Sequence, residues 1–94
     1  MNQPDTKTLK LRKPVTMKGD SETYHTLELR EPTVDELDRA LQAGETAYAS
    51  NAALISFVAG VPLAVARLLV KRDYEEASTY LAGFTLDGPT TGEA

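Results

Sequence analysis

The sequence predicts an α+β fold, with an N-terminal two-stranded antiparallel hairpin packed on three to four short helices. Three observations carry that prediction. Residues 23–30 alternate as a half-buried strand does, with Leu27 and Leu29 on one face. The run Leu27-Glu28-Leu29-Arg30-Glu31-Pro32-Thr33 then changes within three residues from period two to a helix-start signal. Behind it, apolar residues recur at helical spacing, punctuated by Gly44, by Gly60-Val61-Pro62 and by Asp87-Gly88-Pro89. A chain of 94 residues builds one modest core, so 8–86 reads as a single domain between a flexible leader, 1–7, and a flexible tail, 87–94.

The first strand, 8–15, places Leu9, Leu11 and Pro14 or Val15 toward a core, while Lys10 and Arg12 alternate outward. Met17-Lys18-Gly19-Asp20-Ser21 supplies the glycine and short polar groups of a chain reversal. The second strand puts His25 on the face of Leu27 and Leu29, with Tyr24, Thr26, Glu28 and Arg30 opposite. An isolated hairpin is marginal, so Leu27 and Leu29 must meet helical residues such as Leu37 or Leu81.

Pro32 favours an extended Glu31, and Thr33 with Glu36 three residues later has the spacing of a capping box. The first helix therefore starts at Thr33, turns Val34, Leu37, Ala40 and Leu41 inward, and stops at Gly44. A second helix is expected over 45–59, with Tyr48, Ala52, Ile55 and Ala59 along one stripe and Leu54, Phe57 and Val58 beside it. Gly60 ends it. Pro62 suits the first turn of a third helix over 62–71, with Val65, Leu68 and Leu69 inward and Arg67, Lys71 and Arg72 near its C-terminal end, where cations are favoured. Asp73 with Glu76 repeats the capping-box spacing, so a fourth helix is expected from Tyr74 to Phe84 or Leu86, burying Tyr74, Ala77, Leu81 and Phe84.

Composition narrows the function. Ten basic against fourteen acidic side chains give a net charge of −4, and the basic ones form no stripe, which argues against nucleic acid as a partner. The absence of cysteine removes disulfides and thiolate chemistry. The polar start Met1-Asn2-Gln3-Pro4 leads to the expectation of a cytoplasmic product, and the apolar stretch 52–66 is too short and too broken to span a membrane. Enzymatic motifs are missing as well. His25 is the only histidine and is tied by spacing to no serine or aspartate. The carboxylate clusters Asp35, Glu36, Asp38 and Asp73, Glu75, Glu76 each open a helix, where negative charge complements exposed N–H groups. No metal-ligand spacing and no phosphate-cradling glycine run occurs, so neither metal nor other cofactor is expected.

What remains is an adhesive surface. Tyrosine and arginine concentrate at interface hot spots because they join wide contact area to a polar handle. The candidate interface residues are Tyr24, Tyr48, Ala52, Phe57, Arg67, Arg72, Tyr74 and Tyr80, although in so small a domain a tyrosine also serves simply to half-cover the core. The small side chains of Ala49, Ala52 and Ala53 permit close helix approach, which predicts a homo-oligomer, a dimer or larger ring.

Leu9 to Pro14, Lys18-Gly19, the run from Leu27 to Thr33 with Asp35-Glu36-Leu37, Gly60-Val61-Pro62, and Lys71-Arg72-Asp73-Tyr74 ahead of Leu81 and Phe84 together carry a resemblance. In this order they resemble the small tail assembly chaperones of long-tailed bacteriophages, the group of P2-like and Mu-like tail assembly proteins. That resemblance implies a non-catalytic protein of the host bacterial cytoplasm, absent from the mature virion. It would bind the tape measure protein, with the tail tube protein as a second partner, and keep it soluble while the tube assembles. Many members are made in two forms by a frameshift, but the tail from Asp87 to Ala94 matches no motif that would indicate one here. Two alternatives stand beside it: a structural or adaptor subunit of a phage particle, and a small DNA-binding regulator. The regulator suffers from a candidate recognition helix that begins Leu63-Ala64-Val65-Ala66, with no side chain before Arg67 to read base edges.

Overall fold

Residues 4–17 and 22–84 are described by a computed structural model. They form a hairpin of β1 (Thr6–Thr16) and β2 (Thr23–Arg30), followed by α1 (Val34–Ala43), α2 (Ala47–Ala59), α3 (Leu63–Arg67) and α4 (Lys71–Ala82). The expected α+β arrangement is thus present, with the two strands paired antiparallel. The expected reversal at 18–21 and the tail 87–94 lie outside the described residues. β1 starts earlier than the sequence suggested, because Thr6 pairs with Arg30 and Lys7 with Leu29, so these two residues belong to the sheet and not to the leader. Further out, the Tyr80 hydroxyl donates to the Pro4 carbonyl at 2.7 Å.

The ladder is interrupted once. Between the pairs Lys10↔Thr26 and Val15↔Tyr24, the four residues Leu11 to Pro14 of β1 stand against His25 alone. Pro14 has no N–H to give a ladder, and a bulge is where a strand accommodates that loss. The extra residues shift the alternation, which leaves His25 exposed instead of beside Leu27 and Leu29. They also free the amides of Arg12 and Lys13. Both donate to the Asp73 carboxylate of α4, Arg12 at 3.0 and 3.1 Å and Lys13 at 3.3 Å, and the Arg12 guanidinium adds a 3.0 Å ion pair.

Asp73 is therefore not the helix cap its spacing suggested. α4 begins three residues earlier than expected, at Lys71, with Val70 as an N-cap that makes no side-chain hydrogen bond. Asp73 is fully buried, and its carboxylate closes the bulge. Burial alone would push its pKa up; the Arg12 amide, the Arg12 guanidinium and the Lys13 amide outweigh that and hold it below the ordinary value. Glu76, one turn on, receives Arg12 at 2.8 Å and Lys7 at 3.4 Å, completing the stitch between α4 and β1.

One core, built from Leu9, Leu27 and Leu29 of the sheet with Ile55, Val58, Val65, Ala77 and Leu81 of the helices, holds the domain together. Leu81 is buried in this core with Leu27 and Leu29, as expected; Leu37 is 42% exposed and lines a cavity with Leu54 and Leu81. α2 and α4 occupy the buried face of the sheet, and α1 lies along α2. Gly44 explains that placement: a Cβ there would come within 2.6 Å of the Ala49 and Ser50 backbone, so only glycine lets α1 turn back so tightly. Ala40 is the one buried residue of α1. Val34 and Leu41, expected inward, are 81% and 71% exposed.

The remaining helix ends follow local chemistry. α2 starts at Ala47 because the Thr46 hydroxyl accepts from the Ala49 amide at 3.1 Å, a cap the sequence reading passed over. Gly60 ends it in the left-handed conformation, φ 69°, which a side chain adopts only with strain. α3 is five residues long, with Pro62 at its N-cap, and ends before the expected Lys71 because the chain turns at Leu68, whose N–H bonds to the Ala64 and Val65 carbonyls. Leu68 is exposed as a result, and Lys71 and Arg72 fall at the start of α4, not the end of α3. α4 stops at Ala82, short of Phe84.

At Thr33 the capping box is complete. The Thr33 hydroxyl accepts from the Glu36 amide at 3.2 Å and the Glu36 carboxylate accepts from the Thr33 amide at 2.9 Å. Arg30, the last residue of β2, clasps the same carboxylate at 2.7 and 2.9 Å, joining strand end to helix start. Replacing Thr33 with Ala should lower stability by about 1 kcal/mol in urea unfolding. A change smaller than a few tenths would show that Arg30 and Glu36 set the helix start without the hydroxyl.

Candidate functional site

A groove of about 380 Å³ opens where the first turns of α2 and α4 converge on α3. Its lining unites four of the eight candidate interface residues, Tyr48, Ala52, Arg67 and Tyr74, with Leu69 and Lys71. They come from three helices and are up to 26 positions apart in sequence, so the fold has gathered them.

Each wall has a local cause. Thr46 sets the start of α2, and that start fixes Tyr48 on the rim, where it is 66% exposed instead of in the inward stripe expected. Ala52, one turn on, is buried beneath it and forms part of the floor. Tyr74 crosses from α4 and is half-buried, with its ring centroid 5.4 Å from that of Tyr48 and the planes tilted by 50°. The Asn51 side chain donates to the Tyr74 hydroxyl at 3.0 Å, holding the ring between α2 and α4. Asn51 was missed by sequence reasoning; the available signal was an amide in a helix otherwise made almost entirely of apolar and small residues.

Charge lies on one side of the groove. Arg67, at the end of α3, is exposed. Lys71 pairs with Glu75 one turn along α4, and that carboxylate raises the pKa of the ammonium. An aromatic wall, a small-residue floor and a basic rim can hold an apolar side chain or helix stripe and orient it by charge. Nothing in the arrangement supplies a positioned nucleophile or general base. Among the described residues no group of three or more His, Asp or Glu is placed to hold a metal, and none of the helices is long and apolar enough to cross a membrane.

The other four candidates sit elsewhere. Tyr80 is buried, 6% exposed, with its ring edge-on to Phe84 at 5.1 Å and its hydroxyl turned to Pro4, which makes it part of the core. Tyr24 is half-buried at the far end of β2. Phe57 is half-buried beneath the Arg39 guanidinium, 5.5 Å from its ring centre, which ties α1 to α2. Arg72 is exposed on α4 outside the groove. Of the alanine face, Ala52 and Ala53 are 5% and 2% exposed and pack within the chain, while Ala49 and Ala52 line the groove.

A family model described as phage tail assembly chaperone proteins, E, or 41 or 14, matches residues 8–86. No match was found among curated proteins or among solved structures.

Proposed function

Because this chain belongs to the phage tail assembly chaperone family over residues 8–86, we propose that it binds the tape measure protein through the Tyr48–Tyr74 groove. Membership of a chaperone family agrees with a non-catalytic role. The observation that supports the site is the convergence of Tyr48, Ala52, Arg67 and Tyr74 on one apolar groove with a basic rim. A tape measure is an elongated helical client that exposes apolar stripes before the tube encloses it. A small acidic domain covers such a stripe reversibly and keeps the complex soluble, since its net charge of −4 makes like complexes repel. Release follows when tail tube subunits compete for the client, with no nucleotide consumed. On this reading the protein acts in the host cytoplasm and leaves before the virion is complete.

Co-expression tests the proposal. The cognate tape measure protein should gain soluble yield and co-purify with this chain. The contact is mainly apolar, so capture should survive a rise from about 0.1 to 0.5 M salt, where exposed ion pairs are heavily screened. A client that stays insoluble, together with this chain retained stoichiometrically in purified virions, would replace the chaperone reading by that of a structural subunit.

A further inference from the structure

The cavity lined by Leu37, about 170 Å³ in volume, lies between α1, α2 and α4. Leu54, Leu81 and Ala82 make the rest of its apolar wall, and two polar side chains, Asn51 and Ser78, interrupt it. Among the described residues, the Ser78 hydroxyl oxygen is the one buried side-chain polar atom without a hydrogen-bond partner. A serine inside a helix ordinarily turns its hydroxyl to a carbonyl one turn back or out to solvent, and alanine suits a helix interior better. A buried hydroxyl that does neither points to a partner taken up in another state of the domain.

Asn51 is the side chain placed to be that partner. It stands in the cavity wall beside Ser78 while its amide donates to the Tyr74 hydroxyl at 3.0 Å, so it borders the cavity and holds a ring of the groove at once. Tyr74 and Ser78 are one turn apart on the same side of α4, about 6 Å along its axis. We propose that Asn51 is a two-position latch on the groove: in the free chain it holds Tyr74, and when a client takes the Tyr74 hydroxyl the amide turns into the cavity and donates to the Ser78 oxygen. The inference rests on the groove's being the client site. The exchange leaves the domain with one hydrogen bond to Asn51 in either state, so Tyr74 is released without stranding a buried amide. It also narrows the client. An apolar helix stripe interrupted by one hydrogen-bonding side chain fits, whereas a purely apolar stripe leaves Tyr74 on its latch.

Urea unfolding of the full chain without client tests the latch by a double-mutant cycle. Tyr74→Phe removes the acceptor in use and sends Asn51 to Ser78; Ser78→Ala removes the idle one. Each alone should change the unfolding constant by less than about 5-fold, and the double variant by about a further 10-fold or more beyond their product, because only that variant leaves the amide without an acceptor. Should the double variant fail to fold, the Asn51 side-chain amide protons of Y74F decide the matter by NMR. Exchange with solvent as slow as in the unmodified chain shows that Ser78 has taken the amide; exchange about 10-fold faster or more overturns the inference. With client, S78A should weaken capture by about 10-fold, and Ser78→Thr, which keeps the hydroxyl, should restore it. Effects at 74 and 78 that simply multiply, or an S78A variant that captures like the unmodified chain, overturn the inference and leave the functional reading standing. Coupling between 74 and 78 in an unmodified chain that ignores the client sinks the functional reading instead.

Discussion

Replacing Asp73 with Ala should lower the unfolding free energy by about 3 kcal/mol, the largest loss expected from any single polar substitution in this chain. The carboxylate is fully buried and is the acceptor for the two amides that the β1 bulge releases. Leaving each of them unsatisfied costs about 1 to 3 kcal/mol. The remaining Arg12 side chain is 45% exposed and returns to water, which keeps the loss below the figure for stranding a buried charge. Against a total of about 5 to 15 kcal/mol for a typical domain, that is enough to unfold a large share of the population in mild urea. Asp73→Asn keeps one acceptor oxygen and should lose less. A variant D73A with an unchanged urea midpoint would show that solvent satisfies the bulge. The same groups set the response to acid. Asp73 and Glu36 both titrate below their ordinary values of 3.8 and 4.5 when folded, Glu36 at about 2 because Arg30 and the Thr33 amide hold its charge. In the unfolded chain they bind protons at higher pH, so stability rises with pH across this interval. Their contribution is complete above about pH 5 and disappears as the pH falls toward 2, and D73A should flatten that decline.

Tyr48→Glu should weaken capture of the tape measure protein by about 30-fold or more, the effect of losing a hot spot worth about 2 kcal/mol. Tyr48 is 66% exposed, so the urea midpoint should barely move. The ring forms one wall of the groove with Tyr74, and a carboxylate in its place meets an apolar floor at Ala52. Arg67 acts at the margin: its removal should change association rate and salt dependence more than dissociation. Tyr80→Phe is the contrasting case. It deletes the hydrogen bond to Pro4 and leaves the groove intact, so it should lower stability slightly and leave capture unchanged. A pull-down from co-expressing cells, read beside urea curves of the same variants, separates these outcomes. Capture by Y48E at the level of the unmodified chain would place the client on another surface.

Features whose causes lie within a few residues were legible in the sequence. The second strand occupies 23–30 as its alternation predicts, the Thr33 and Glu36 spacing closes a capping box, and Gly60 ends α2 in a conformation that glycine tolerates. In each case the hydrogen-bond partners or the backbone torsion belong to the neighbouring chain. Features whose partners come from far along the chain were not legible. Asp73 and Glu76 show the same spacing as Thr33 and Glu36, yet Asp73 turns to Arg12, 61 positions away, because a bulge at Pro14 has amides to satisfy and α4 has placed a carboxylate beside them. The stripe of Val34, Leu37 and Leu41 shows that α1 is amphipathic; amphipathicity alone does not say whether the covering surface lies in the same molecule. The tight turn at Gly44 lays α1 on α2 while α2 and α4 take the sheet, and that packing leaves Val34 and Leu41 in water and Leu37 beside Leu54 and Leu81. Tyr48, Arg67 and Tyr74 were legible as chemistry but not as a site: local sequence determines which side chains a helix carries, and only the packing of three helices determines which of them face one another.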